Sequence, residues 1–247
     1  MRHDGRHPDQ LRPVEILPNY LDHPTGSCLI RWGGTHVLCA ATVEDGVPRW
    51  LHGKGRGWLT AEYALLPSAT HPRTQREVNR GKVGGRTAEI QRLIGRSLRA
   101  AVDLAQLGER TVYLDCDVIN ADGGTRTASI TGSFVALSLA LDRLVAEGAL
   151  HRAPLHGALA AVSVGIVDGE PLLDLDYPED FAAAVDMCVV GTDRQEIVEV
   201  QGTAEEAPFS RAQLDRLVDL AQGGIETLLA AQATALGAAH DAPRGQR

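Results

Sequence analysis

Alternating and periodic apolar positions divide the chain into two similar halves. Residues 27–44 contain two β-rich runs that meet at a Gly-Gly pair, and residues 156–177 contain two more that meet at Asp-Gly. Both arrangements predict a β-hairpin, because glycine accepts the positive φ angles of a tight turn. A segment with apolar residues at helical spacing follows each hairpin, at 86–106 and at 210–236. The pattern therefore predicts a duplicated unit of strands and helices.

The region between the two halves adds one strand and one helix. Residues 111–120 predict the strand and residues 127–147 the helix, which gives an α+β fold built from a duplicated βαβα unit. Ser210 stands where the N-cap of the last helix is expected. Residues 237–247 lack apolar periodicity and predict a loose C-terminal tail. No apolar run approaches the roughly 20 residues that span a bilayer, so we expect no membrane partner.

Composition excludes several classes of protein. The chain has 247 residues, of which 44% are hydrophobic and 23% charged, as in an ordinary globular protein that needs no disulfide staple. Its four cysteines are far apart and show no metal-ligand spacing, which predicts buried thiols in a reducing cytoplasm. The histidines are scattered and there is no P-loop, so a Ser/His or Cys/His hydrolase and an ATP-dependent phosphotransferase are disfavoured.

The net charge of −8 is distributed unevenly along the chain. Residues 49–99 contain 11 Lys and Arg but only three Asp and Glu, whereas residues 171–206 are rich in acids and contain one arginine. A basic concentration of this kind is typical of a surface for phosphate-rich partners. The candidate RNA-binding residues are Arg73, Arg76 and Arg80 in the long loop 67–85, and Arg92, Arg96 and Arg99 on one face of the following helix. That helix face has no glutamate four positions before any of its three arginines. A solvated surface is the alternative for both groups.

Two glycine-rich helix starts have the features of a phosphate site. In ADGGTRT, Gly124 allows the backbone to approach an anion, Thr125 adds a hydroxyl donor and Arg126 supplies a planar, charged fork. Arg86 likewise follows paired glycines at the start of a helix. An ordinary turn with threonine as the N-cap is the alternative at ADGGTRT. Their repetition predicts two arginines around one phosphate.

The segment LDLDYPEDFAAAVD concentrates acidic residues. Asp174 and Asp176 alternate and are expected on the same side of a strand, and singly they and Glu179 are expected to be solvated surface acids. Asp180 and Asp186 lie six positions apart before the next strand. Carboxylates brought together in this way can hold Mg²⁺, and a protonated one can act as a general acid. Because no nucleophilic side chain is evident, phosphate itself is the candidate nucleophile.

Six long blocks carry a resemblance that covers nearly the whole chain, in order. They are RHDGRHPDQLRPV, GWLTAEYALLPSAT, GRTAEIQRLIGRSLRA, DCDVINADGGTRTASITG, LDLDYPEDFAAAVDMCVV and VEVQGTAEEAPFSR. These blocks resemble the ribonuclease PH family of phosphorolytic 3′→5′ exoribonucleases. Only the C-terminal tail is unlike the family.

The resemblance implies a fold like that of ribosomal protein S5 domain 2. It implies two exoribonuclease domains, residues 1–150 and 151–236, packed as one globule and assembled as a homohexamer, a trimer of dimers. The implied activity is cytoplasmic trimming of the 3′ ends of tRNA precursors, and of other structured RNA such as rRNA, but not of DNA. Inorganic phosphate is the implied co-substrate, nucleoside diphosphates are released, and the reverse reaction adds nucleotides.

The resemblance also implies roles for individual residues. Those that match the family's phosphate site are Arg86, Gly124, Thr125 and Arg126. Those that match its acidic pair, which binds Mg²⁺ and assists the leaving 3′-oxygen, are Asp180 and Asp186. Those in the basic loop that faces the tRNA body are Arg73, Arg76 and Arg80. Two alternatives stay open: a non-catalytic RNA-binding subunit of a ring, and a metal-dependent hydrolytic exonuclease that releases monophosphates.

Overall fold

Residues 2–205 and 207–241 are described by a computed structural model of the chain, without the side chains of Val78, Arg80, His240 and Asp241. The first sheet, in the spatial order β1-β2-β3-β5-β4, consists of β1 (Val14–Pro18), β2 (Gly26–Trp32), β3 (Thr35–Asp45), β4 (Trp58–Leu65) and β5 (Arg110–Asn120). The second, in the order β7-β6-β8-β9, consists of β6 (Leu159–Val167), β7 (Glu170–Leu173), β8 (Val185–Thr192) and β9 (Ile197–Ala204). The helices are α1 (Gly85–Ala101), α2 (Leu104–Leu107), α3 (Thr125–Ala146), α4 (Tyr177–Ala182) and α5 (Arg211–Asp241).

Both predicted hairpins are present, so the duplicated α+β architecture is confirmed. β2 and β3 are joined through a turn that contains Gly33 at positive φ. In the second hairpin, Val167 pairs with Glu170, and the two residues between them, Asp168 and Gly169, have φ angles of 51° and 80°. Two successive positive φ angles match the twist of the flanking strands, which is why Asp-Gly suits this position. β4 pairs with β5 in parallel; the other strand pairs are antiparallel among the described residues.

Helix α3 is the central element of the core. It contacts β2 and β3 of the first sheet and β6 of the second, and most of its residues are buried. Contrary to the sequence expectation, it is long and apolar enough to cross a membrane. Its apolar surface is instead covered by the two sheets. A Cβ on Gly132 would lie 2.8 Å from the Cys39 sulfur and 2.9 Å from Ile30, so glycine lets the helix approach the first sheet closely.

The predicted helix 86–106 is interrupted. Its apolar face is buried as expected, but α1 ends before Val102, whose backbone is extended and forms an isolated bridge with Leu155. Asp103 then caps α2 by accepting hydrogen bonds from two of its N–H groups. The helical periodicity continues through this break, and the capping aspartate is the local signal that marks it.

Helix α5 begins where predicted and ends later. The Ser210 hydroxyl accepts from the Gln213 N–H at 3.3 Å and the Gln213 side chain accepts from the Ser210 N–H at 2.8 Å, which forms a capping box. The helix continues five residues beyond the predicted end, because Ala235 and Ala239 lie one turn apart and are both buried. The predicted loose tail is therefore wrong for its first five residues; its remainder, 242–247, lies outside the described residues.

Candidate active site

The start of α3 presents free backbone donors. Gly124 caps the helix in the left-handed conformation (φ 65°), it has no side chain that could accept from the first N–H groups, and the first turn contains no acid. The first N–H groups of a helix lack partners within it and carry its positive dipole end. Gly123 is equally constrained, since a Cβ there would lie 2.6 Å from the Leu175 carbonyl oxygen. This helix start can therefore bind an anion.

The start of α1 differs from the sequence expectation of a twin site. Its cap, Gly84, is also a glycine without a capping side chain of its own, but Glu77 lies beside it. The Glu77 carboxylate accepts from the Gly84 N–H at 2.9 Å and from the Thr87 hydroxyl at 2.8 Å. A carboxylate of the chain thus already occupies this position. Arg86 can contribute to an anion site through its exposed guanidinium rather than through the helix start.

Tyr63 on β4 links the two helix starts. Its hydroxyl lies 2.8 Å from the Thr125 hydroxyl, and Arg86 interacts with the same phenol. Burial raises the pKa of Tyr63, although the Thr125 hydrogen bond and the Arg86 charge oppose this. The phenol therefore stays neutral and can join both groups. Sequence reasoning assigned Tyr63 no role, because only the fold brings β4, which packs against α1, within reach of Thr125 at the start of α3.

Arg126 contacts one predicted carboxylate and interacts with the charge of the other. Its Nη2 donates to Asp186 Oδ2 at 3.0 Å, from the start of α3 to the start of β8. Burial lowers the pKa of Arg126, but the charges of Asp186 and Asp180 outweigh this and raise it overall. The structure therefore brings together Arg126, Asp180 and Asp186, with Arg86 near enough to affect the Asp180 charge.

Asp180 is the carboxyl whose pKa is raised. Although the residue is exposed, its carboxyl is partly desolvated, and this together with the charge of Asp186 raises its pKa. Arg126 and Arg86 lower it only in part. A carboxyl of this kind holds a proton closer to neutral pH than an ordinary aspartate does. It is thus suited to proton transfer.

The buried thiol beneath this site is chemically inert. Cys188 lies on β8 two positions after Asp186, and burial raises its pKa to about 12. The nearby charge of Arg126 opposes this shift without reversing it. Because the thiolate is the nucleophilic form, Cys188 does not supply a nucleophile. All four cysteines are free and buried, as predicted.

The acids that precede α4 are buried, which corrects two sequence expectations. β7 ends at Leu173, so Asp174 and Asp176 do not alternate along a strand: Asp174 has a left-handed backbone (φ 58°) and Asp176 caps α4. With Glu179 they are 1%, 4% and 6% exposed, and are not solvated surface acids. Their burial is possible because the N-terminal segment supplies buried cations, which are Arg2, Arg6 and Arg12.

Arg12 connects the acidic segment, residues 173–186, to the anion-binding loop, residues 122–124. It donates to Asp174 from Nη2 at 2.7 Å, from Nε at 3.0 Å and from its backbone N–H at 2.7 Å. Its Nη1 also donates to the carbonyl oxygen of Asp122, directly before the two glycines that lead into α3. The Trp32 indole donates to the same Asp174 carboxylate at 2.9 Å. Arg12 therefore fixes the spacing between the anion-binding loop and the segment that carries Asp180.

A cluster next to α4 has metal-ligand atoms but is an ion-pair network. Ligand atoms of His3, Asp176 and Glu179 lie within 4.8 Å of one another. However, Arg2 donates to both oxygens of Glu179, at 2.7 and 2.5 Å, and Asp176 and Glu179 form a capping box. These contacts fix the buried side of α4. The next residue, Asp180, is exposed.

The five predicted RNA-binding arginines whose side chains the structure describes have different environments. Arg73, Arg76 and Arg92 are exposed. Arg96 donates from Nε to Glu199 of β9 at 2.7 Å, so the expectation of a helix face without acidic partners is wrong at this position. The partner lies 103 positions away and carries no local signal.

Arg99 is held by contacts within the chain. Its guanidinium lies 4.6 Å from the ring centroid of Trp58 and donates to the Leu59 carbonyl at 2.9 Å. The Trp58 ring in turn meets Trp50 edge-on. The side chain of Arg80 lies outside the described part of the chain. RNA contact by all six arginines stays a prediction.

Known proteins share both the sequence pattern and the fold. The 3′ exoribonuclease family matches residues 10–141 with its domain 1 and residues 157–224 with its domain 2. The crystal structure of rice (Oryza sativa) Rrp46 is similar, with a TM-score of 0.77 and 20% identity over 95% of this chain and 100% of that one. The Archaeoglobus fulgidus exosome with RNA bound to the active site gives a TM-score of 0.77 and 23% identity, over 92% of this chain and 91% of that one. An archaeal exosome core gives a TM-score of 0.75 and 22% identity, over 94% of this chain and 91% of that one. The structural likenesses show the fold, and the two sequence matches together cover most of the chain, which therefore belongs to the 3′ exoribonuclease family.

Proposed function

We propose that the chain is a phosphorolytic 3′→5′ exoribonuclease that trims the 3′ ends of tRNA precursors and of other structured RNA such as rRNA. The observation that carries the proposal is the Arg126–Asp186 contact of 3.0 Å at the uncapped start of α3, with Asp180 and Arg86 beside it. An anion-binding group thus adjoins a pair of carboxylates. Attack by phosphate on a phosphodiester needs this combination, because one anion must be held while another is cleaved.

Arg126, Thr125 and Gly124 bind the attacking phosphate in this proposal. The hydrogen bond to Asp186 uses one of the five N–H groups of the guanidinium, so further donors remain for phosphate oxygens. The free N–H groups at the start of α3 and the Thr125 hydroxyl add to them. Arg86 approaches from α1 and is held near Thr125 through Tyr63.

The reaction exchanges one phosphorus–oxygen bond for another. An oxygen of inorganic phosphate attacks the terminal phosphodiester, the bond from phosphorus to the 3′-oxygen breaks, and a nucleoside diphosphate leaves. The 3′-oxygen of the shortened RNA takes up a proton, and Asp180, with its raised pKa, is the carboxyl best suited to deliver it. The reverse reaction adds nucleotides, since the same groups bind the diphosphate and the RNA 3′ end.

Asp180 and Asp186 also fit Mg²⁺, which prefers carboxylate oxygens and commonly uses one or two of them in proteins. The ion would supply positive charge for the leaving oxygen and the phosphodiester. Proton donation and metal binding compete at Asp180, because a metal ligand must be deprotonated. Titration of Mg²⁺ at several pH values separates the two roles. If Asp180 binds the metal, the apparent affinity for Mg²⁺ should rise as the pH increases through the range in which Asp180 loses its proton.

The proposal includes a homohexameric ring, a trimer of dimers, in the cytoplasm. The shared fold with exosome subunits supports a ring. The four free, buried cysteines are consistent with a reducing compartment.

A non-catalytic RNA-binding ring subunit is the second candidate. The pairing of Arg126 with Asp186 favours it, because each charge has a partner without any substrate. The raised pKa of Asp180 favours the enzyme, since a structural carboxylate gains nothing from crowding by a second one. A hydrolytic exonuclease, which uses water, has no use for the anion site at α3.

The test incubates an RNA that has a 3′ overhang with the protein and Mg²⁺, with and without inorganic phosphate. Nucleoside diphosphates that form only with phosphate support phosphorolysis. Monophosphates without phosphate indicate a hydrolase. Bound RNA with no product under either condition indicates the non-catalytic subunit. Asp180→Asn is the control for a contaminating nuclease, because its preparation should form no product.

A further inference from the structure

Two aromatic side chains lie exposed side by side on α4. Tyr177 is 60% exposed and Phe181 is 83% exposed, and their rings are 6.4 Å apart with planes tilted by 32°. Aromatic residues make up only 4% of the chain, so two exposed ones on a six-residue helix are notable. Single exposed apolar residues are ordinary, whereas adjacent ones form a surface that a ligand can cover.

The aromatic pair shares one side of α4 with Asp180. Residues at positions i, i+3 and i+4 of a helix lie on the same side, and Tyr177, Asp180 and Phe181 have this spacing. The opposite side carries Glu179, which is buried and bonded by Arg2. The pair is therefore fixed in direction relative to the candidate catalytic carboxyl.

The pair also adjoins the anion-binding loop. The backbone N–H of Tyr177 donates to the Asp122 carboxylate at 3.4 Å, directly before the glycines that lead into α3. Arg126 lies at the start of α3 and interacts with Asp180. The surface thus combines positive charge, a carboxyl of raised pKa and two exposed aromatic rings within one site.

We propose that Tyr177 and Phe181 form a stacking surface for the bases at the 3′ end of single-stranded RNA. This inference rests on the proposed function and adds to it the element that holds the substrate's bases. Bases stack on aromatic side chains with little sequence preference, while phosphates bind to neighbouring arginines. A protein subunit is a poorer occupant, because covering the pair would also cover Asp180 on the same side of the helix.

The first experiment measures binding of a 5′-labelled oligo(A) by fluorescence anisotropy, without phosphate, to Phe181→Ala, Tyr177→Ala and the double variant. Each single change should weaken binding about fivefold or more, since a base–aromatic stack accounts for a change of at least that size. Tyr20→Ala is the matched control, because Tyr20 is an aromatic residue 42% exposed outside the site, and it should bind as the wild type does. In phosphorolysis, the KM for RNA should rise while the KM for phosphate stays unchanged.

The second experiment uses the same RNA with abasic riboses at its last two positions. The wild type should bind the abasic RNA more weakly than the complete RNA. The double variant should bind both RNAs with the same affinity, because the bases and the rings act through one contact. An equal loss in both proteins shows that the bases bind elsewhere and overturns the stacking surface.

The remaining outcomes separate this inference from the proposed function. If the wild type releases nucleoside diphosphates but the double variant binds RNA equally well, the stacking surface is wrong and the function stands. If the wild type binds RNA without product, the function fails, while the abasic comparison still decides the role of the pair. A changed oligomeric mass by light scattering, with unchanged RNA affinity, makes the pair a subunit contact and overturns the inference. No RNA binding by the wild type overturns both.

Discussion

Replacement of Asp174 by Asn removes one charge from the centre of the buried network and changes little else. Asp174 is 1% exposed and accepts hydrogen bonds from Arg12 at 2.7 and 3.0 Å and from Trp32 at 2.9 Å. Its φ of 58° is in the left-handed region, which asparagine adopts more readily than most residues. The substitution therefore keeps the backbone and the side-chain volume, and isolates the charge.

We expect Asp174→Asn to lower the free energy of unfolding by about 3–5 kcal/mol, the usual loss when one partner of a buried ion pair is removed. Arg12 keeps its charge in a site where its side chain is 5% exposed. The carboxylate of Asp122 lies 3.6 Å away and is more exposed, and the charge of Asp176 acts without a direct contact, so the two compensate only in part. The new side chain also carries an NH₂ group, whose donors face the N–H donors of Arg12 and Trp32 and cannot bond to them.

Urea unfolding followed by tryptophan fluorescence measures this loss. With a slope near 3 kcal/mol per M, the midpoint should fall by about 1 M or more at unchanged slope. Glu15→Gln is the control, because Glu15 pairs with Arg31 at 3.1 Å on the surface, where an ion pair contributes about 0–1 kcal/mol. If Asp174→Asn costs no more than Glu15→Gln, the buried network does not stabilise the fold and our account of it is wrong.

Three further predictions concern the proposed activity. Arg126→Ala should raise the KM for phosphate about tenfold or more and lower kcat, with RNA affinity retained, because charged hydrogen bonds to phosphate are lost; lost RNA binding with intact phosphate kinetics contradicts this. Asp180→Asn should abolish phosphorolysis at unchanged oligomeric mass. This variant should also be more stable to urea than the wild type at pH 7 but not at pH 4. The raised pKa means that the folded state binds the Asp180 proton more tightly than the unfolded state does. Ionisation of Asp180 therefore lowers the stability of the wild type as the pH rises above the ordinary pKa of an aspartate. Wild-type turnover in this variant removes Asp180 from the chemistry. The double change Arg73→Ala and Arg76→Ala should weaken tRNA binding more at low than at high salt, with a shallower salt dependence of the binding constant, whereas a salt-independent loss indicates shape contacts.

The features that sequence predicted well depend on residues close together in the chain. The Asp168-Gly169 turn and the Ser210–Gln213 capping box each join residues within three positions of one another. The uncapped helix start at Gly124 is equally local, since it follows from a glycine pair and the absence of a first-turn acid. Spacing alone contains this information, because turns and caps are formed by adjacent backbone groups.

The features that sequence missed depend on partners far apart in the chain. Asp174 resembles a solvated acid until Arg12, 162 positions earlier, is brought against it. Arg96 has no acid three or four positions away in its own helix, and Glu199 reaches it from another sheet. Tyr63 joins Arg86 to α3 only because the fold places β4, which packs against α1, within reach of Thr125. The charge of an isolated segment therefore does not predict its exposure, since burial depends on whether the fold supplies an opposite charge.

The acidic segment shows that the role of a carboxylate depends on whether the fold supplies it with an opposite charge. Asp174, Glu179, Asp180 and Asp186 lie within 13 positions and are chemically equivalent in the sequence. α4 is too short to be stable alone, so the carboxylates on its buried side, neutralised by the N-terminal arginines, hold it in place. Asp180 lies on the exposed side, where partial desolvation and the charge of Asp186 raise its pKa and Arg126 compensates only in part. The buried side of this six-residue helix thus stabilises the fold. That stability keeps Asp180, on the exposed side, close to Asp186, and the raised pKa that results suits proton transfer.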